Sequence, residues 1–453
     1  MAREDEAARG LTATIMAQVD ALLAAPVPDD VIEWARQGVL DWLGVAIGGA
    51  ADPLSLTLRE EAREQGGAPV ATILWHGDRT SVPVAALVNA SMADALDFAD
   101  TNPNMHGHTM PAIAGGALAL AEAKGASGRA MLTAIIAGVE TACRIGVLAH
   151  GQLHPNGFHP TATTAPFGAA AAAAHLLGLD ATKRAHALGL AATQAAGLVA
   201  SAGTMAKPLH SGSAAMNGVM AASLAARGFL ARADAIEAPG GFLAAHVKEW
   251  SAAPLAAAAG RFFIRDTKFK AHAACALTHS SIENMLQLTR KYGIAPDDFE
   301  HIELRVPRSS LGVCNIDEPQ SALEAKFSLR TVAAMALLGD ATGDIEAYAL
   351  ERVTRPALKR VAGRIAVAGR DDLDGAAAVA IADLMDGRRI SERYDSYTVA
   401  VDLSEQRERL VRKFRALVVP VLGAEHAVAL QDAVFALGAA RSVAPLVALA
   451  VKG

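Results

Sequence analysis

The sequence predicts a mainly α protein with a smaller α+β module late in the chain. Three observations point there. Apolar residues make up 52% of the 453 residues and aromatics only 4%, so the bulk comes from Ala, Leu and Val, which favour closely packed helices over β-sandwiches. Apolar residues recur at helical spacing through the first two-thirds, and beyond about residue 265 the period switches to two. A chain of this length exceeds one ordinary hydrophobic core, so two domains are expected.

The elements follow in order. Val31, Ala35, Val39, Leu43 and Ile47 recur every fourth residue, Trp34 and Trp42 widen that apolar face, and Asp29 or Asp30 stands where a cap belongs. Further helices are expected over 82–97, 111–122, 128–148, 164–177, 181–200 and 211–227, divided by Gly- and Pro-containing breaks. No self-similarity at a period of roughly 20–50 residues is visible, which disfavours a solenoid. His301 to Val306 then alternates as a strand, 364–368 is a second, and 377–385 with 388–393 flank Asp386-Gly387, a dipeptide suited to the positive φ angles of a hairpin turn. Helices over 280–290 and 329–338 would pack on that sheet. From 404 the helical texture returns, with Asp402 and Glu405 spaced as a capping box. The expected divisions are 1–265, 266–395 and 396–453. The last segment either completes the first domain or covers a subunit interface.

Composition excludes several partners. The net charge of −6 and the lack of any Lys/Arg block give no electrostatic footprint for a nucleic acid. Three widely spaced cysteines without a CxxC pair indicate neither a disulfide framework nor a thiolate metal site, and fit a reducing cytoplasm. The acidic N-terminus is unlike a secretory signal. Stretches 161–179 and 185–206 approach membrane-span length but are dotted with Thr, Ser, Gln, His and Gly, so they are read as buried helices, with no membrane partner.

Four polar clusters could carry chemistry. Asp94, Asp97 and Thr101 are spaced to share a helical face, with Asp100 between them and His106 and His108 just after; carboxylates beside histidines fix tautomers and raise basicity. His159 precedes Pro160 at a helix entrance, where free N–H groups can receive an anion. Lys207 precedes Pro208 among small residues, a receptor for a carboxylate, and the GxxxxGK[ST] order of a phosphate loop is absent. The fourth, Lys268 to His279, contains Lys270, His272 and Cys275. Each has a plainer reading: a capped helix end, a packing histidine, a surface lysine, a core residue.

The strings Ala95-Leu96-Asp97-Phe98-Ala99-Asp100-Thr101, Gly157-Phe158-His159-Pro160-Thr161, Lys207-Pro208-Leu209-His210-Ser211-Gly212 and Gly240-Gly241-Phe242 stand in the order found in the MmgE/PrpD family. Over most of its length the chain resembles that family, which includes 2-methylcitrate dehydratase, cis-aconitate decarboxylase and iminodisuccinate epimerase. The resemblance implies a large all-helical domain built from both chain ends, a smaller α+β lid domain, a homodimer, a cleft between the domains and no cofactor. It carries over Asp97, Thr101, His108, His159, Lys207 and His272 as site residues, with His106 the alternative to His108. Lys268 and Lys270 lie near the place of a family lysine and are taken with Thr101 as substrate-binding. Two departures stand out: Ala99 replaces an aspartate, and Thr331 stands where a tyrosine is common.

The chemistry so implied is stabilisation of negative charge on a carbon beside a carboxylate, by preplaced cations and donors. A hydro-lyase acting on a citrate-like hydroxy acid is the leading expectation, after the family's namesake, with decarboxylation or epimerisation of a small di- or tricarboxylate as alternatives. Two other classes compete: a metal-dependent hydrolase using His150, His154 and His159, and a non-catalytic carboxylate-binding protein. Gly151 and Pro155 interrupt the first, and HExxH is absent.

Overall fold

A computed structural model of the chain describes residues 10–396, 398 and 402–452. Helix accounts for 59% and strand for 10%, a mainly α fold with a smaller α+β part. Two units emerge, Met1–Phe269 with Val401–Gly453, and Lys270–Ala400. The first runs on past 265 because the backbones of Thr101 and Lys268 exchange both N–H···O bonds at 2.7 Å, tying the strand-like end of the segment back to the helices.

The first unit opens with α1 (Leu11–Ala24), α2 (Asp29–Gly48) and α3 (Pro53–Gln65), then a short ladder of β1 (Ala71–Thr72) and β2 (Arg79–Thr80). The core follows: α4 (Val82–Asp94), α5 (Met110–Lys124), α6 (Gly128–Leu148), α7 (Pro160–Leu176), α8 (Ala181–Ala192) and α9 (Ala206–Ala226). Neither Asp29 nor Asp30 caps α2; both lie in its first turn after Pro28, and Asp30 pairs with Arg265 at 2.6 Å. The scarcity of aromatics has a direct consequence in the packing of α9 against α4, α5, α7 and α8. A Cβ on Gly218 would stand 2.4 Å from that of Ala169, and one on Gly212 would stand 2.4 Å from the Leu87 carbonyl oxygen. These helices touch nearly backbone to backbone. α6 is apolar and long enough to span a bilayer, yet 89% of that stretch is buried within the unit, where the fully buried Arg144 and Glu140 pair and hold the backbone of 258–264.

The second unit is a four-stranded sheet with order β4-β3-β5-β6. It is built from α10 (His279–Tyr292), β3 (Phe299–Pro307), α11 (Leu329–Leu337), β4 (Ile365–Arg370), β5 (Ala377–Leu384) and β6 (Arg389–Asp395). β3 runs parallel to β4 and antiparallel to β5, and β5 and β6 form the hairpin whose turn carries Gly387 at φ 85°. α10 covers β5 and β6. Buried Val306, Cys314, Leu329 and Ala378 form a core with Cys275 and Phe327 against it.

The chain then returns to the first unit through α12 (Leu403–Leu422) and α13 (Ala424–Phe435). Asp402 caps α12 by accepting from the N–H groups of Ser404 and Glu405. α12 lies along α2, where Gly44 admits Phe414. The terminal segment thus completes the helical unit.

Candidate active site

α4 does not reach Asp97, as its apolar spacing had implied; it stops at Asp94. The Asp97 N–H bonds to the Asp94 carbonyl in a tight turn, and Asp97 takes φ 52°, a left-handed backbone that aspartate tolerates better than most residues. Asp94, Asp97 and Thr101 therefore share no helical face. The turn nevertheless brings Asp94 and Asp97 together on one partner.

That partner is Lys207. Its helix starts at Ala206 rather than 211, because Pro208 occupies the first turn, where a missing N–H costs nothing. Lys207 is thus helical, and His210 and Ser211 follow it on the same face. Its Nζ donates to Asp94 Oδ1 at 3.0 Å and Asp97 Oδ1 at 2.8 Å, and meets His108 Nε2 at 3.4 Å. Ser211 Oγ donates to Asp94 Oδ2 at 2.8 Å. An ammonium has three donors, and these three contacts use them. Burial opposes the charge on Lys207, but the two carboxylates outweigh it and raise its pKa above the ordinary lysine value.

His108 is fixed from behind. Its Nδ1 lies 2.6 Å from the carbonyl oxygen of Asp100, which can only accept, so Nδ1 carries the hydrogen and Nε2 presents its lone pair to Lys207. The Asp100 side chain caps α5, accepting from the N–H and hydroxyl of Thr109 and the N–H of Met110. Burial of this carboxyl pushes its pKa up to about 7, against the pull of those donors. The His108 N–H donates to Thr161 Oγ1 at 2.9 Å, joining the starts of α5 and α7.

His159 is the N-cap residue of α7, with Pro160 at the first helical position. Its ring lies 6.4 Å from that of His108, centroid to centroid, and its Nδ1 is 3.0 Å from His210 Nδ1. Burial, then the charge of Lys207, holds His159 well below the ordinary histidine range. The site therefore sits where α5, α7 and α9 begin. Their positive ends offset two carboxylates gathered around one ammonium.

The other expected residues divide between the two units. Thr101 and Lys268 are buried and joined through their backbones, and Lys270 is buried in the second unit. His106 is exposed on a left-handed backbone at φ 53°, so of the two histidines His108 is the one that reaches Lys207. His272 belongs to the second unit, where Nε2 meets Glu283 at 3.1 Å and Nδ1 meets the Thr342 hydroxyl at 2.7 Å. Thr331 is buried beside its own helix cap, where its hydroxyl accepts from Ser328 Oγ at 2.9 Å.

Asp94, Asp97 and His108 each offer a ligand atom within 4.8 Å of the others, a grouping that could hold a metal ion. Lys207 Nζ bonds to all three, so an ammonium already takes the position a cation would need. His150, His154 and His159 form no such group among the described residues.

Known proteins resemble this chain over most of its length. The MmgE/PrpD N-terminal domain matches residues 13–254 and the MmgE/PrpD C-terminal domain matches 272–437. The chain belongs to the MmgE/PrpD family. Among relatives, cis-aconitate decarboxylase of Mus musculus is 27% identical over 427 residues, covering 90% of this chain and 86% of the mouse protein. The Homo sapiens enzyme of that name is 26% identical over 426 residues, covering 90% and 88%. That of Aspergillus terreus (strain NIH 2624 / FGSC A1156) is 26% identical over 477 residues, covering 98% and 97%. Within this MmgE/PrpD chain, Asp94 and Asp100 stand in the first polar cluster, but the resemblance carries over neither of them, nor His210, as a site residue. The signal for His210 was its spacing of three from Lys207, hidden while the helix was expected to start at 211. For Asp100 the signal is only its place in that cluster, because its role is to hold His108 from behind.

Proposed function

We propose that this chain is a lyase that decarboxylates cis-aconitate or a close unsaturated tricarboxylate with its own side chains. One observation carries the reading: Lys207 shares its donors among Asp94, Asp97 and His108, and the His108 contact, at 3.4 Å, is the longest. A substrate carboxylate takes that donor most readily, since the contact it replaces is the weakest. Doing so frees His108 Nε2, whose lone pair is already presented by the hydrogen bond to Asp100. Binding thus opens an acceptor nitrogen on His108 toward the substrate, and the proton donor in this reading is His159.

Decarboxylation breaks the bond to the departing carboxylate, and its electron pair spreads over the adjoining alkene and carboxylate. Lys207 and the starts of α5, α7 and α9 stabilise that charge, and a histidine proton closes the carbanion. The relatives' names favour this over the dehydration expected from the family's namesake. Dehydration and epimerisation pass through a related anion, so the same residues would serve either. Incubation of the purified protein with cis-aconitate in D₂O tests the reading. Expected are CO₂ and an unsaturated dicarboxylate carrying deuterium at the newly protonated carbon. Consumption of a citrate-like hydroxy acid with no CO₂ from cis-aconitate would restore the dehydratase, and inertness toward both would end the lyase reading.

We also propose a homodimer. Leu198, Met205, Met220, Phe229 and Leu230 are large apolar side chains left exposed within one stretch of the first unit, and a second copy would cover them. Sedimentation showing only monomer at micromolar concentration would overturn this.

A further inference from the structure

His210 plays no part in the reading above, yet it is in hydrogen-bond contact with His159. The two Nδ1 atoms lie 3.0 Å apart, with ring centroids 5.2 Å apart and planes inclined at 41°. Two imidazole nitrogens at that separation hold one proton between them. With none, two lone pairs face each other, and with two, two N–H bonds collide. The tautomers of neutral rings are therefore coupled. When His210 Nδ1 holds the proton, His159 carries its own on Nε2 and is an acid there. When His159 Nδ1 holds it, His159 Nε2 is bare and is a base.

The backbone builds this contact at Gly197. Its carbonyl oxygen accepts the His159 N–H at 3.0 Å. A Cβ there would lie 3.2 Å from Cδ2 and Nε2 of His210 and 2.3 Å from the Cβ of Ala162. Only glycine lets one residue hold His159 while leaving room for the ring of His210. The half-buried His210 also stands one turn beyond Lys207, on the helix that supplies the ammonium.

We propose that His210 is a positioning residue that sets the tautomer of His159 and relays its proton. This rests on the lyase reading for its reaction. In the forward step the His159 Nε2–H bond breaks as the substrate C–H bond forms. The Nδ1–H bond of a protonated His210 breaks as His159 Nδ1–H forms. His159 ends neutral, His210 ends neutral, and the carbanion is quenched. After product leaves, a proton from water enters at His159 Nε2 and the Nδ1 proton returns to His210. The charges around the pair suit this direction. Burial lowers both rings, but His159 further, because Lys207, His108, His210 and His154 add to it there, whereas at His210 the Asp94 carboxylate partly offsets burial and Lys207.

Ring nitrogen-15 NMR of the histidine-labelled free enzyme, with His210→Asn and His210→Leu, tests it. Wild type should show one Nδ1 protonated and its partner's Nδ1 bare. Asparagine can still hydrogen-bond to His159 Nδ1 but cannot carry a proton onward; leucine does neither. Both variants should lose kcat by roughly tenfold to a hundredfold, the scale of losing a group that orients an acid or base, with KM little changed. Only His210→Asn should keep the wild-type His159 tautomer, and the pH–rate limb of the pair should shift in both. Adding His210→Leu to His159→Gln should cost nothing further, since the relay acts through His159. Unchanged kcat in His210→Leu, or independent and additive losses, overturns the proposal. Should the variants not fold, the wild-type spectrum decides, and two bare or two protonated Nδ1 atoms overturn the pair. A shared proton in an enzyme inert toward cis-aconitate supports the pair and removes only the proposed substrate.

Discussion

The ammonium of Lys413, on the returning helix α12, lies 2.7 Å from the carbonyl oxygen of Phe98 and 2.6 Å from Asp41 Oδ1. It also stands over the Phe98 ring, 3.9 Å from its centroid. Phe98 follows Asp97, whose left-handed backbone turns its carboxylate toward Lys207. A residue near the end of the chain thus holds the turn on which the site depends. Replacing Lys413 by Met keeps the stem and removes the charge, leaving Asp41 buried beside an apolar tip. Loss of about 3–5 kcal/mol of unfolding free energy is expected, together with lower kcat as Asp97 loosens. Urea unfolding checks the first part; stability within about 0.5 kcal/mol of wild type, the scatter of surface substitutions, would show that Lys413 does not anchor the turn.

Lys207→Ala is expected to damage both activity and folding. The ammonium stands between Asp94 and Asp97, so truncation leaves two buried carboxylates facing each other without the charge that joins them. Turnover should fall by at least roughly a hundredfold, the lower bound for a lost electrostatic partner of the reacting group, and the melting temperature should drop. Adding Asp94→Asn should recover part of the stability and none of the activity. A melting temperature unaffected by Lys207→Ala would mean that solvent reaches the cluster.

His159→Gln should lower turnover by about two to four orders of magnitude, the range for a positioned acid or base. Deuterium incorporation from D₂O into product should fall in parallel. If most activity survives, proton transfer belongs to His108 instead.

Asp100 gives the site a pH signature. Its folded-state pKa is raised to about 7 from an ordinary value of 3.8, so the folded protein binds this proton more tightly than the unfolded chain. Its stability contribution is therefore intact below about pH 4 and declines as the pH rises through about 7, a slope opposite to that of a salt-bridged carboxylate. Denaturant melts across that window should show less decline in Asp100→Asn than in wild type. The variant should also be somewhat less stable at low pH, because an amide keeps one acceptor oxygen and turns its nitrogen toward either the Thr109 donors or the Met110 N–H, so one of the two contacts is lost. Equal slopes in the two proteins would place the titration elsewhere.

The sequence by itself determined the class of the protein and the address of its chemistry. Apolar spacing gave the helices of the first unit, since burial of one face depends on local periodicity alone. Period-two alternation around Asp386-Gly387 gave the hairpin, since its turn depends on two residues. Motif order placed Asp97, Thr101, His108 or His106, His159, Lys207 and His272 in one family site. Tertiary structure decided the rest. It ended α4 at Asp94, because a left-handed Asp97 held by Lys413 is a long-range contact that no local pattern records. It started α9 early, put His108 rather than His106 on Lys207, and assigned the returning segment to the helical unit. It also set His210 against His159 across Gly197, because hydrogen-bond partners far apart in sequence are selected by packing, and packing is decided only when the helices meet.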